Sequence, residues 1–402
     1  MEVKSIKARE ILDSRGNPTV EVELTTKKGT FYGKAPSGAS TGKHEALELR
    51  DSDDRYRGKG VQQALENVKK IASEVKKEIT FAELDQKMIE MDGTDNKSEL
   101  GANAILPLSI AACKAEAAKE EMSVWKFISQ EFDAEVAMPR PSFNIINGGT
   151  HAGNDLSIQE FMILPSAGSF KEQLRKASEV YHALEDILKN KFNASATNVG
   201  DEGGFAPPLR KTTTALDLIE EAIKRKDYDM ELGLDSAASE FHQKGSYNLE
   251  GTVFTQEGLL KFYKNLVEDY NLTSIEDPFG EEDWKSFSEI TEELGSDINI
   301  VGDDLLVSNA QRIEKANKKE ACNTLLLKPN QVGTVTEAVK SAQLAQSFDW
   351  EVMVSHRSGE TCDPFIADLA VGTGADYIKA GAPARGERVA KYNQLLRIEE
   401  LQ

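Results

Sequence analysis

The sequence is poor in cysteine, with only Cys113, Cys322 and Cys362 and no C-x-x-C pair. That excludes a disulfide framework and leaves no thiolate set for zinc. Basic residues are outnumbered, 48 Lys and Arg against 68 Asp and Glu, and the formal charge is −20. Without a basic footprint, neither nucleic acid nor an anionic membrane is an expected partner. No apolar run approaches the roughly 18 residues of a membrane span, and the opening "MEVKSIKAREILDSRGNP" has no apolar core of signal-peptide length. The expectation is a cytoplasmic protein without a membrane span, in which the sequons at Asn96, Asn193 and Asn271 are accidental.

A nucleotide P-loop is also missing. The stretch "APSGASTGKHE" has only Ala39, Ser40 and Thr41 between Gly38 and Gly42, and Lys43 precedes His44 rather than a hydroxyl residue. By itself the stretch reads as a Ser- and Gly-rich surface loop or as a phosphate cradle of another kind.

What is present begins with length. A chain of 402 residues exceeds what one hydrophobic core organises, so two domains are expected. In the first third, "TVEVELTT" alternates Val20, Val22 and Leu24 with Glu21 and Glu23, and Lys27 to Gly29 turns the chain into "TFYGKA", a predicted hairpin. Val61, Leu65, Val68, Ile71 and Val75 form a helical stripe. A second helical segment spans about Ser98 to Phe132, with Pro107 expected to kink or interrupt it.

After "EVAMPRP" short apolar strands alternate with amphipathic helices, such as that carrying Leu174, Ala177, Val180, Tyr181, Leu184 and Leu188. The strands end in polar groups: Asp235, Glu276, Asp303, Lys328, His356 and Lys379, the last five separated by 27, 25, 28 and 23 residues. A near-constant βα period that closes each strand with a titratable group describes a (β/α) barrel with its site at the strand C-termini. The competing architecture is an open doubly wound sheet, but its one sign, "GTGADY" at Gly372, precedes a strand instead of following one.

Asp235, Glu276 and Asp303 would converge as three carboxylates, which either hold a hard divalent cation such as magnesium or serve as separate helix caps. Lys328 ends the apolar run "TLLL" and reads either as a desolvated general base or as half of an ion pair. His356, Arg357 and Ser358 suit a phosphate oxyanion, and Lys379 a second anionic group. Upstream, His151 follows two glycines, Gln159 and Glu160 open an alternating strand, and Asp201 and Glu202 sit on a loop with Gly203 and Gly204. Glu202 reads as a general acid or as part of a Gly-rich turn.

Taken in order, "ILDSRGNPTVEVE", "APSGASTGKHEALELRD", "NGGTHAGN", "IQEFMILP", "NVGDEGGFAP", "SIEDPF", "VGDD", "LLLKPNQVGT", "VSHRSGET" and "IKAGAPARGER" resemble the enolase family along essentially the whole chain. The resemblance implies an α+β N-terminal domain over 1–133 and a modified TIM-type ββαα(βα)6 barrel over 134–402. It implies reversible dehydration of 2-phospho-D-glycerate to phosphoenolpyruvate, in glycolysis and gluconeogenesis. Lys328 would be the C2 base and Glu202 the acid at the C3 hydroxyl, with Glu160 and His151 beside it. Gln159, His356, Arg357, Ser358 and Lys379 would bind substrate; Asp235, Glu276 and Asp303 would hold one Mg2+ and Ser40, on a mobile lid, would ligate a second. The family also implies a homodimer or homo-octamer, and some members have a cell-surface or secreted presence. Rival readings are another lyase or racemase of the superfamily acting on a different carboxylate, and a binding protein; the first is disfavoured by Glu202, Arg357, Ser358 and the serine loop occurring together. The family pattern would put Gly near Pro107, an acid at Cys362 and Ser at Gly386, so local packing is in question there.

Overall fold

The computed structural model describes residues 1–39 and 42–402. Strands β1 (Val3–Leu12), β2 (Pro18–Thr26) and β3 (Gly29–Lys34) form an antiparallel sheet in that order. Val20, Val22 and Leu24 of β2 are fully buried, as their alternation predicts. Glu21 and Glu23 take the other face, where Arg9 of β1 pairs with both, 2.6 Å from Glu21. Periodicity alone predicts no strand over 3–12, because an edge strand with Lys4, Lys7 and Arg9 exposed carries little apolar alternation.

Four helices follow: α1 (Gln62–Glu74), α2 (Phe81–Asp92), α3 (Ala102–Lys119) and α4 (Val124–Phe132). On α1 the expected stripe is buried at Leu65, Val68 and Ile71. α2 starts at a capping box in which Thr80 and Glu83 satisfy each other's backbone N–H. The expected break at Pro107 is not where the chain breaks. Pro107 lies inside α3, and the helix ends instead at Lys119, just before Glu121, which takes φ +58° while Met122 N–H donates to the Ala117 carbonyl at 2.9 Å. Proline near the start of a helix forfeits one hydrogen bond, and burial of α3 on all sides offsets that loss. β3 packs so closely on this turn that a Cβ at Gly33 would stand 2.0 Å from the Pro107 carbonyl oxygen.

The remainder is β4 (Arg140–Asn147), β5 (Glu160–Pro165), α5 (Phe170–Lys191), α6 (Thr212–Lys226) and β6 (Met230–Asp235), and then the small sheet β7 (His242–Gln243), β8 (Ser246–Leu249) and β9 (Thr252–Phe254). Regular alternation resumes with α7 (Gln256–Asp269), β10 (Leu272–Glu276), α8 (Trp284–Leu294), β11 (Asn299–Gly302), α9 (Ala310–Lys319) and β12 (Thr324–Leu327). It ends with α10 (Val335–Gln346), β13 (Glu351–Ser355), α11 (Phe365–Gly372), β14 (Tyr377–Lys379) and α12 (Gly386–Glu399). β10-β11-β12-β13-β14-β4-β5-β6 close into a barrel, so the open-sheet alternative is excluded. The order is ββαα(βα)6, as the resemblance implied. β5 runs antiparallel to both β4 and β6, so it begins at the mouth where the parallel strands end. That reversal brings Gln159 and Glu160, at the start of a strand, level with Asp235, at the end of one.

The N-terminal domain grips the barrel at the start of α10. Thr336 donates from N–H (3.1 Å) and hydroxyl (2.7 Å) to Asp85 of α2, Val335 N–H donates to Ser109 Oγ of α3 (2.9 Å), and Lys97 pairs with Glu337 at 2.8 Å. These groups satisfy orphan donors of a helix in the other domain. At the departures from the family pattern, Cys362 is exposed and Gly386 has open space around its Cα. Among the described residues no helix is long and apolar enough to cross a membrane.

Candidate active site

The barrel mouth gathers the residues singled out in the sequence into one cleft. Glu276 reaches it through Lys379, and Ser40 lies outside the described residues.

One wall is built from the ends of β10, β11 and β12. Lys328 Nζ donates to Asp303 Oδ2, so of its two readings the ion pair is what this state adopts. Asp303 Oδ1 accepts from Gln331 Nε2 at 3.0 Å, and Ser308 orients that amide by donating to Gln331 Oε1 at 2.7 Å. Ser308 also accepts the Lys328 N–H at 2.9 Å. Val307 and Ser308 hold φ of +45° and +53°, a left-handed turn that is costly for a β-branched residue and brings the Ser308 hydroxyl under the lysine. Burial works to raise Asp303, but Lys328 outweighs it and the carboxyl is held low. Burial likewise works to lower Lys328, and Asp303 more than offsets that, so the lysine stays an ammonium.

Lys379 crosses the floor, 2% exposed, with Nζ 2.7 Å from Glu276, 3.2 Å from Asp235 and 3.2 Å from Glu160. One cation shared by three carboxylates leaves them under-compensated. Burial, and then repulsion from neighbouring carboxylates, pushes Glu160 and Glu276 well above the usual range.

The opposite wall carries Glu202. Its loop is fixed by backbone bonds, Gly200 N–H to the Gly204 carbonyl (2.8 Å) and Ala382 N–H to the Glu202 carbonyl (3.0 Å). Gly203 turns it at φ +86°, and a Cβ at Gly204 would stand 2.7 Å from Asn147 Oδ1. Glu202 accepts from Asn144 Nδ2 at 3.0 Å, and its oxygens lie 3.2 Å from His356 Nε2 and 3.5 Å from His151 Nδ1. An imidazolium at His356 would pull Glu202 down despite burial. However, Arg388 Nη1 lies 2.7 Å from His356 Nδ1, and a second cation there is excluded. Burial pushes His356 down to about 4, so near neutral pH the ring is neutral and Glu202 faces a dipole instead of a charge.

On the third side Arg357 makes a forked pair with Glu45, 2.9 and 3.1 Å, and reaches Asn330 Oδ1 at 2.9 Å. Glu45 Oε1 accepts from Gly42 N–H at 2.9 Å and from Gln331 Nε2 at 3.3 Å, so it ties the serine loop to both the arginine and the base wall. Ser358 is buried beside Arg15, whose Nη1 is 3.4 Å from its hydroxyl. Glu45, Gln331, Arg388, Asn144 and Asp277 were not singled out in the sequence. The stretches "STGKHE", "KPNQ", "ARGER" and "SIEDPF" contain four of them, but nothing in spacing marks which residue of each points inward.

The donors for a metal are oxygen only, which suits magnesium. Glu276 Oε1 is a buried carboxylate oxygen with no hydrogen-bond partner, and Asp235 and Asp303 carry charge beside it. These residues fit a divalent cation. In this state their ligand atoms are not drawn together: Lys379 holds Asp235 and Glu276, Lys328 holds Asp303, and the compact groups of potential ligands among the described residues are Asp277–Asp303–Asp304 and His151–Glu160–Glu202.

Comparison with known proteins accords with this geometry. The family model described as Enolase, N-terminal domain, matches residues 3–128, and that described as Enolase, C-terminal TIM barrel domain, matches 135–402. The chain is 55% identical over 410 residues to the protein named Enolase from Methanocaldococcus jannaschii, an overlap covering 99% of this chain and 95% of that relative.

Proposed function

We propose, from the premise that this chain belongs to the enolase family, that the two walls of the cleft divide one dehydration between a base and an acid. The chain is a carbon–oxygen lyase of glycolysis, interconverting 2-phospho-D-glycerate with phosphoenolpyruvate and water. The C2 proton is very weakly acidic because its removal adds charge beside a carboxylate. Lys328 takes it and leaves an enolate across C2 and the carboxylate; that electron pair then forms the C2–C3 double bond as the C3 hydroxyl, protonated by Glu202, leaves as water. Glu160 and His151 support Glu202, Gln159 and Lys379 face the substrate carboxylate, and Arg357 and Ser358 face the phosphate, with His356 close by. Asp235, Glu276 and Asp303 would hold a divalent cation, which would supply positive charge against the substrate carboxylate and offset the charge that keeps Lys328 protonated. A second magnesium bound with substrate, with Ser40 as ligand, belongs to the same proposal.

The observation that supports this reading is the opposed electrostatics of the walls: Lys328 stands against the Asp303 carboxylate, Glu202 against neutral imidazole and amide. We also take the domain boundary as 133/134, between α4 and β4, and expect a cytoplasmic homodimer or homo-octamer, with any cell-surface presence an additional role. The test mixes the protein with 2-phosphoglycerate and magnesium and follows phosphoenolpyruvate by ultraviolet absorbance, with EDTA and Lys328→Ala as controls. Product that needs metal and disappears in the variant is expected; no product from folded, magnesium-loaded protein would overturn the reading.

A further inference from the structure

Arg388, near the start of α12, is a cation without exposed surface. Its closest carboxylate contact is Nε to Glu387 at 3.5 Å, and its bonds are spent elsewhere. Nη1 donates to His356 Nδ1 (2.7 Å) and to the Arg357 carbonyl (2.7 Å); Nη2 donates to the carbonyls of Asp201 (2.9 Å) and Ser358 (2.6 Å). A buried guanidinium bonded to carbonyls and an imidazole, with its Nε left without a hydrogen-bond partner, is a costly way to fill space. It joins the loop that carries Glu202 to the loop after β13, and it constrains the histidine between them. A guanidinium never gives up its proton and only donates, so the nitrogen it meets must offer a lone pair. Nδ1 of His356 is therefore bare and the ring proton sits on Nε2, a buried nitrogen 3.2 Å from Glu202 Oε2 that makes no aligned hydrogen bond in this state. The other charged group that His356 senses is Glu360, whose carboxylate is bound to Lys391 at 2.8 Å.

We infer that Arg388 is a positioning residue for the acid half of the reaction, holding His356 as the Nε2–H tautomer beside Glu202. The inference rests on Glu202 being the acid. With a neutral ring beside it in place of an imidazolium, Glu202 is drawn down less than it would be by a second cation.

The test separates the half-reactions. Exchange of the C2 proton with deuterated solvent needs Lys328 alone, whereas dehydration needs Glu202 as well. In Arg388→Met, kcat for dehydration should fall on the order of 10–100-fold, the range for losing the group that orients an imidazole, while C2 exchange stays close to wild type. Arg388→Lys should recover part of the loss. Nitrogen NMR of the wild-type protein should show His356 as the Nε2–H form, moving toward Nδ1–H in Arg388→Met and less so in Arg388→Lys. Wild-type His356 protonated on Nδ1 overturns the inference without any variant, as does an equal fall of exchange and dehydration in folded Arg388→Met. If Glu202→Gln dehydrates normally, the assignment of the acid has failed instead, a result the NMR measurement would not produce.

Discussion

The two walls of the cleft handle buried charge differently. On the base wall, Asp303 has a full ammonium partner in Lys328 and is held low; the pair is strong, and it keeps the base protonated. On the acid wall, Glu202 and Glu160 stand among imidazoles and an amide, and the one lysine within reach, Lys379, is divided among three carboxylates. Proton affinity is thus set by one close ion pair on one side, and on the other by burial opposed by His356, His151 and the buried Arg388. The base becomes competent only when something draws Asp303 away, and the acid only when something offsets the groups that hold Glu202 low.

The sharpest way to break that contrast is to remove one member from each wall. Lys328→Ala should abolish both C2 exchange and dehydration, with losses at or beyond the roughly 10²–10⁴-fold that a general acid or base supplies. Glu202→Gln should lose dehydration by a similar factor yet retain exchange. Equal effects on both reactions in both variants would mean that the walls do not divide the chemistry.

Lys379→Met tests the shared cation. Removing it leaves Asp235, Glu160 and Glu276 buried against one another. Denaturation in urea without metal should show a loss of about 3–5 kcal/mol, the cost of breaking a buried pair. Magnesium should restore more stability to the variant than it adds to the wild type. A loss within the roughly 0–1 kcal/mol of an exposed ion pair would show that the carboxylates simply take up protons.

How much of this was legible in sequence depends on range. The barrel could be read because each strand end repeats a local pattern, and Asp235, Glu276, Asp303, Lys328, His356 and Lys379 all fall within one residue of a strand terminus. β1 and the end of α3 could not be read locally: β1 is an edge strand whose inner side, Val3, Ile6 and Ala8, is only partly buried, and α3 outruns its proline because it is surrounded by core. The site residues that escaped notice are those whose meaning lies in a distant partner. Glu45 matters through Arg357 and Arg388 through His356, and no periodicity encodes a contact between residues so far apart in the chain.

Asp85 sharpens the comparison from outside the cleft, as a carboxylate with hydroxyl and N–H partners but no cation. It is fully buried where α2 meets α10, and burial raises it from 3.8 to about 6, against the bonds from Thr336. Its folded value lies above the unfolded one, so between those pH values the native chain binds more proton than the unfolded chain. Its contribution to stability therefore falls as pH rises from about 4 to about 6. A shift of that size corresponds to about 3 kcal/mol. An asparagine side chain at this position would resemble the protonated form and keep an oxygen for Thr336. Relative to wild type, Asp85→Asn should be nearly neutral close to pH 4 and gain up to about 3 kcal/mol by pH 7, measured by urea denaturation across that range. A difference that does not vary with pH would mean that Asp85 stays ionised, and that hydroxyl and N–H donors alone can do for a buried carboxylate what Lys328 does for Asp303.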